Sequence, residues 1–174
     1  RLWAEEKRLG TLELLLTLPV TLTEVILGKF LAAWVFIGIA IVLTFPMLLT
    51  VIYLGQPDIG AALSGYLGTF LLAGAFLSVG TMTSSLTRSQ VISFILSVVI
   101  CLFFVLAGYP PVTDVLAGWA PVWLVNLVAE IGFLPHFHAL QRGVIDLQDL
   151  VYYLSVIVFM IFVNAIVLQN RETA

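Results

Sequence analysis

The sequence predicts an all-α integral membrane protein, a polytopic helical bundle, and three observations support that fold class. Of 174 residues, 61% are hydrophobic and 10% are charged, against about 25% charged in an ordinary soluble domain. Mean hydropathy is +1.15. The apolar surplus lies in long blocks, each able to supply the roughly 20 residues that carry a helix across a bilayer. Lipid selects helices here because every backbone polar group must be satisfied within the protein. Cys101 stands alone inside one block, so there is no disulfide framework, and it reads as a small buried hydrophobe.

The first 29 residues predict a bent cytoplasmic element. Arg1 to Leu9 reads as the end of a helix, with Lys7 and Arg8 in the last turn, where cations suit the helix dipole, and Gly10 as the stop. Thr11 caps a second helix with Glu13 in its first turn, and Pro19 ends it. Its apolar run, Leu12 to Leu18, covers only about 10 Å of helix, far too little to span. Thr21-Leu22-Thr23-Glu24 is a capping-box pattern that opens a third helix, which leads through Gly28 and Lys29 into the membrane. The crosspiece so formed presents Leu14, Leu15 and Leu16 on the surface. Physical chemistry alone allows two readings: an interfacial helix among lipid headgroups, or a knob that fits a groove on a soluble partner.

The transmembrane part, 30–174, holds spans at about 30–54, 62–86, 90–109 and 150–168. Pro46 kinks the first, because it removes one backbone donor. Asp58 closes a Gly-Gln-Pro-Asp turn before the second span. That span holds small residues in series, with Gly60, Ser64 and Gly68, then Gly74 and Ser78, then Gly80 and Ser84. Small residues let helices approach closely, which suits internal packing, a subunit interface or a pathway wall. The segment 110–149 predicts short helices at Val115 to Trp119 and Val122 to Ile131, broken at Pro121 and Pro135, with Trp119 and Trp123 as interfacial anchors. Gly143 ends a helix, and Asp146 with Asp149 supplies the N-cap and first-turn acid of the last span.

Four spans put both ends of the chain on one side. With Arg1 inside, Lys7, Arg8, Lys29, Arg88 and Arg171 are inside too, and only Arg142 of the 7 basic residues is outside. That is the positive-inside pattern, and it places the segment 110–149 on the outer face.

Several chemistries find no support. There is no Gly-x4-Gly-Lys-[Ser/Thr] phosphate loop, and no acid within a span to relay protons or bind a coupling cation. His136-x-His138 has a spacing that turns the two rings to different faces of a helix, with no third ligand near, so no metal is expected. Ser84, Ser85 and Ser89 have no histidine on their side of the membrane, which disfavours an intramembrane hydrolase. Arg142 is expected to pair with Asp146 or Asp149 and order the outer segment.

Glu6-x3-Gly10-Thr11-x-Glu13-x-Leu15-x3-Pro19, with Gly28-Lys29 beyond, resembles the loop after the second span of ABC-2 type transporter permeases. The order that follows is similar as well: two spans, a third, an outer helical segment and a final span. The chain thus looks like the last four of six spans, and the resemblance implies that two spans precede Arg1. Gln141 to Leu147, followed by Val151 to Ser155, is similar to permeases of the gliding-motility type, with the multicopper-enzyme-maturation type as a neighbour.

The resemblance implies an ABC-2 exporter-type bundle in the bacterial inner membrane, with a coupling helix on the cytoplasmic side and interfacial or re-entrant helices outside. It implies a permease subunit with no catalytic site, cofactor or metal of its own, with ATP and Mg2+ held by a partner ATPase. Glu6, Gly10, Thr11, Glu13, Leu14, Leu15, Leu16 and Pro19 would make the ATPase-coupling surface. Gly60, Ser64, Gly68, Gly74 and Ser78 would serve helix packing or the pathway, and Arg142, Asp146 and Asp149 the outer segment. The partners so implied are cytoplasmic ABC ATPase subunits, a second permease copy or paralogue, and membrane lipids, with no nucleic acid. The alternative is a non-transporting membrane anchor of an ABC ATPase complex with a mechanical or regulatory role. An intramembrane enzyme lacks a catalytic set.

Overall fold

The computed structural model describes Trp3, Glu6, Leu9, residues 21–87 and residues 89–172, without the side chains of 171 and 172. All regular structure among them is helical. Helix α1, Leu22–Leu43, opens on the expected capping box: Thr21 Oγ1 accepts from the Glu24 amide, and the Glu24 carboxylate accepts from the Thr21 amide at 2.8 Å. Gly28 and Lys29 lie inside this helix. It stops at Thr44, whose amide turns back to the Ile41 and Val42 carbonyls. Helix α2, Phe45–Leu54, then starts with Pro46 in its first turn. The proline therefore acts as a helix-start residue, and the break falls two residues before it.

Asp58 caps helix α3, Ile59–Leu86, by accepting from the amides of Gly60 at 2.9 Å and Ala61 at 3.2 Å. Helix α4, Gln90–Ala107, ends short of the predicted 109, because Pro110 begins helix α5, Pro110–Ala117. The first short helix of the segment 110–149 thus lies earlier than the predicted Val115 to Trp119. Helix α6, Val122–Ile131, follows Pro121. The expected break at Pro135 is corrected: Pro135 sits inside helix α7, Phe133–Gln141, and Gly132 makes the break. Proline in the first turn of a helix loses no internal hydrogen bond, whereas Gly132 is in extended backbone at φ −67°, ψ 146°. Gly132 also lies so close to Gly108 that a Cβ on it would meet the Gly108 amide nitrogen at 2.4 Å. Gly143, at φ 84°, releases the chain from α7, and helix α8, Leu147–Glu172, completes the fold.

Among the described residues four stretches are long and apolar enough to cross a membrane: Leu22–Leu54, which joins α1 and α2, Ile59–Leu86, Gln90–Ala107 and Leu147–Asn170. Helix α3 is the central post. It packs against α1, α4, α7 and α8, and 39% of its most apolar stretch is buried, against none in Leu22–Leu54. Its hydroxyls explain how a polar helix survives there. Ser78, Thr81, Thr83 and Ser85 each donate to the carbonyl three residues back, at 2.7 to 3.0 Å, so none of these four hydroxyls is stranded in hydrocarbon.

Aromatic packing closes the bundle. The Trp34 indole stacks on Phe70 at 4.7 Å and donates to the Phe70 carbonyl at 3.0 Å. Phe133 stacks on Phe104 at 4.8 Å and meets Phe76 edge-on at 5.4 Å, holding α7 against α4 and α3.

Candidate functional site

At one end of the bundle Trp3 and Glu6 are seated on three spans. Trp3 is 2% exposed and packs with Ile26 of α1 and Leu168 of α8, flanked by Leu22, Val25, Ile161 and Ala165. Its backbone amide donates to Ser84 Oγ of α3 at 3.0 Å. Lys29 of α1 lies over the ring, with Nζ 4.3 Å from the centroid, and forms an ion pair with Glu6.

Magnitudes rank these contacts. An indole of roughly 150–250 Å2 gains several kcal/mol on burial at about 25 cal/mol per Å2, whereas a part-exposed ion pair gives about 0–1 kcal/mol. Burial of the indole therefore outweighs the Glu6–Lys29 pair in holding the seat. Trp3 was not among the residues singled out in the sequence, although a large aromatic within a charged stretch is the signal that could have found it.

Of the coupling residues, Glu6 is described, and it turns inward to Lys29. Gly10, Thr11, Glu13, Leu14, Leu15, Leu16 and Pro19 lie outside the described residues.

Of the small residues singled out in α3, Ser64, Gly68, Gly74 and Ser78 are buried and Gly60 is exposed. Gly60 supplies an amide to the Asp58 cap. The buried Ser64 hydroxyl donates to the Leu140 carbonyl of α7 at 2.7 Å. A Cβ on Gly68 would meet Leu140 at 3.1 Å. Gly74 lies under the Trp34 indole, where a Cβ would stand 2.7 Å from the ring and 3.0 Å from Ile157. Ser78 is fully buried. Ser64, Gly68 and Gly74 thus lie directly against other helices of the same chain.

At the other end, α6, α7 and α8 are tied together. His136 Nδ1 lies 2.6 Å from Asp149 Oδ1, and its Nε2 lies 3.1 Å from the Glu130 carbonyl. The imidazole stacks on Tyr152 at 3.9 Å. The Tyr152 hydroxyl donates to the Ile131 carbonyl, and the Tyr153 hydroxyl to the Phe133 carbonyl at 2.9 Å. The expected Arg142 pairing is corrected: among the described residues neither Asp146 nor Asp149 forms an ion pair with Arg142, and Asp149 is taken by His136. Asp149 stands in the first turn of α8 as expected, but its carboxylate reaches sideways to α7. His138 pairs instead with Gln141, at 3.2 Å.

Between α1 and α3 an open groove of about 760 Å3 runs from Phe36, Ile37 and Ile41 to Thr44, Tyr66 and Gln141. Its walls are apolar along most of their length and polar near the α1–α2 break.

With this geometry in view, a protein-family model, described as that of an ABC-2 family transporter protein, matches residues 1–168. The chain belongs to the ABC-2 family of transporter proteins. No curated protein and no solved structure matches it. As an ABC-2 membrane domain it is a transmembrane subunit of an ATP-binding cassette transporter, of the kind that works with an ABC ATPase subunit. Both sides of the Trp3 seat, Trp3 itself and Leu168, lie within the matched region of the ABC-2 domain.

Proposed function

We propose that this ABC-2 subunit is the permease of an exporter and that ATP hydrolysis on its partner drives it through residues 11–18. Binding of ATP and Mg2+ closes the ATPase pair, the crosspieces of two permease copies approach, and the spans rock between inward-open and outward-open states. Leu14, Leu15 and Leu16 provide the apolar contact, with Thr11 and Glu13 as its polar flank, while Gly10 and Pro19 bound the crosspiece. Glu6 acts from behind, through Lys29.

The observation that supports this reading is the Trp3 seat. A load on the N-terminal segment passes at once to α1 through Ile26 and Lys29, to α3 through Ser84, and to α8 through Leu168. The reading keeps both ends of the chain cytoplasmic in a bacterial inner membrane, in line with six of 7 basic residues on that side. The closing motif, Gln141 to Leu147 with Val151 to Ser155, favours the gliding-motility type within the family. An amphiphilic cargo fits the groove between α1 and α3, whose long walls are apolar and whose polar groups gather near Thr44.

Replacing Leu14, Leu15 and Leu16 together with serine tests the docking role in the full transporter. The expected result is loss of ATPase association and of cargo-stimulated hydrolysis, with the helical signal and thermal unfolding of the spans retained. Normal association and activity in that variant would overturn the proposal.

A further inference from the structure

Asn164 of α8 is held in the interior of the bundle with its polar atoms unpaired. The residue is fully buried, and neither Oδ1 nor Nδ2 finds a hydrogen-bond partner among the described residues. The buried hydroxyls of α3 are treated differently: Ser78 donates to the Ala75 carbonyl at 2.7 Å and Thr81 to the Ser78 carbonyl at 2.8 Å. A buried amide without a partner forfeits the hydrogen bonds that water would give it. It therefore destabilises the packing that holds it, and a rearrangement that supplies a partner is favoured in turn.

The register of α8 on α3 brings such a partner to the same level. Tyr153, Ile157, Met160, Asn164 and Leu168 are buried and recur every three or four residues, which puts them on one face of α8. Gly74, Ser78, Thr81 and Ser85 make a buried stripe of the same kind on α3. The two helices meet at Gly74, where a Cβ would lie 3.0 Å from Ile157. They come together again around Trp3, which packs on Leu168 and donates its amide to Ser84, so they run in the same direction. Asn164 follows Ile157 by seven residues, as Thr81 follows Gly74, and both therefore stand about 10 Å farther along the pair. The Thr81 oxygen, having given its proton to a carbonyl, still has lone pairs to accept with. Neither helix carries a charged side chain between these two levels and the Trp3 seat, so no ion competes for the amide.

We propose that Asn164 is a latch between two packings of α8 on α3, unpaired in the packing seen here and bonded to Thr81 in the second. The inference rests on the reading that the spans rock between two states, and it names one contact that changes as they do. A slide or turn of α8 by about 1–2 Å, ordinary for helices at an interface, exchanges one packing for the other. In the second, Asn164 Nδ2 donates to Thr81 Oγ1 while the threonine keeps its bond to the Ser78 carbonyl. The amide thus penalises one packing and stabilises the other, and it biases the balance between them without touching nucleotide or cargo.

A double-mutant cycle of thermal unfolding tests this in the full transporter, with its ATPase, in lipid nanodiscs, both nucleotide-free and trapped with ATP and vanadate. Asn164→Leu keeps the volume and removes the amide, and Thr81→Val keeps the shape and removes the hydroxyl. Asn164→Leu is expected to raise the unfolding midpoint of one state and lower that of the other, by at least about 2 °C each. Thr81→Val is expected to lower the midpoint in the second of these states only, and there the double variant falls no further than either single one. Thr81→Val alone carries the comparison should Asn164→Leu fold poorly. Additive effects of the two substitutions in both states would overturn the proposal, as would an equal effect of Thr81→Val in both. A wild type that trapping leaves unmoved would overturn the rocking itself and this inference with it, whereas a trapping shift without coupling between Asn164 and Thr81 would overturn this inference alone.

Discussion

Trp3 joins a segment of high charge to a bundle of low charge, and it does so with both of its parts. The indole fills the space between Ile26 and Leu168, and the backbone amide finds Ser84. Trp3→Ala is expected to weaken the seat by about 3–5 kcal/mol, and Ser84→Ala by about 1–3 kcal/mol, since it strands a buried donor. Limited proteolysis of the N-terminal segment measures both, and neither change should melt the spans. At this scale the local signals were readable in advance. Thr21 with Glu24, Asp58 before α3 and Gly143 after α7 each act within a few residues of their own position. His136 with Asp149 and Trp3 with Ser84 were not readable, because thirteen and 81 residues separate the partners, and no periodicity encodes that pairing.

Helix α3 works as a post because small residues let its neighbours come close. The Trp34 indole rests on Gly74, with Ile157 approaching from α8. Gly74→Ala is expected to cost about 1–3 kcal/mol by overpacking. Trp34→Ala in the same chain should recover part of that loss, a non-additivity that a double-mutant cycle of thermal unfolding in detergent reads directly. Apolar block length foretold the four long helices, since lipid thickness dictates it. Block length could not foretell the details near proline. Pro46 and Pro135 both sit in the first turn of a helix, where a missing amide costs nothing, so each marks a start where the sequence pattern read as a kink or a stop. The break before α7 falls instead at Gly132, whose close approach to Gly108 no local rule anticipates.

The whole molecule is a central post with Trp3 seated at one end and a tied cluster of short helices at the other. Membership of the ABC-2 family supplies the setting, a membrane subunit alongside an ATPase. The Trp3 seat supplies a route by which force at residues 11–18 would reach three spans together. Uncoupling the two ends is therefore expected in Trp3→Ala, with basal ATP hydrolysis of the assembled transporter retained and cargo-stimulated hydrolysis reduced at least about fivefold, the lower end of an ordinary coupling energy. Side-by-side ATPase assays with and without cargo in liposomes read that difference. The measurement that bears most directly on the central claim is photo-crosslinking from position 15 of the full-length transporter in living cells. A crosslinked product containing the ABC ATPase, formed from the cytoplasmic side, is the expected result. Crosslinking to lipid alone, or labelling of that position by a membrane-impermeant reagent added outside, would contradict it.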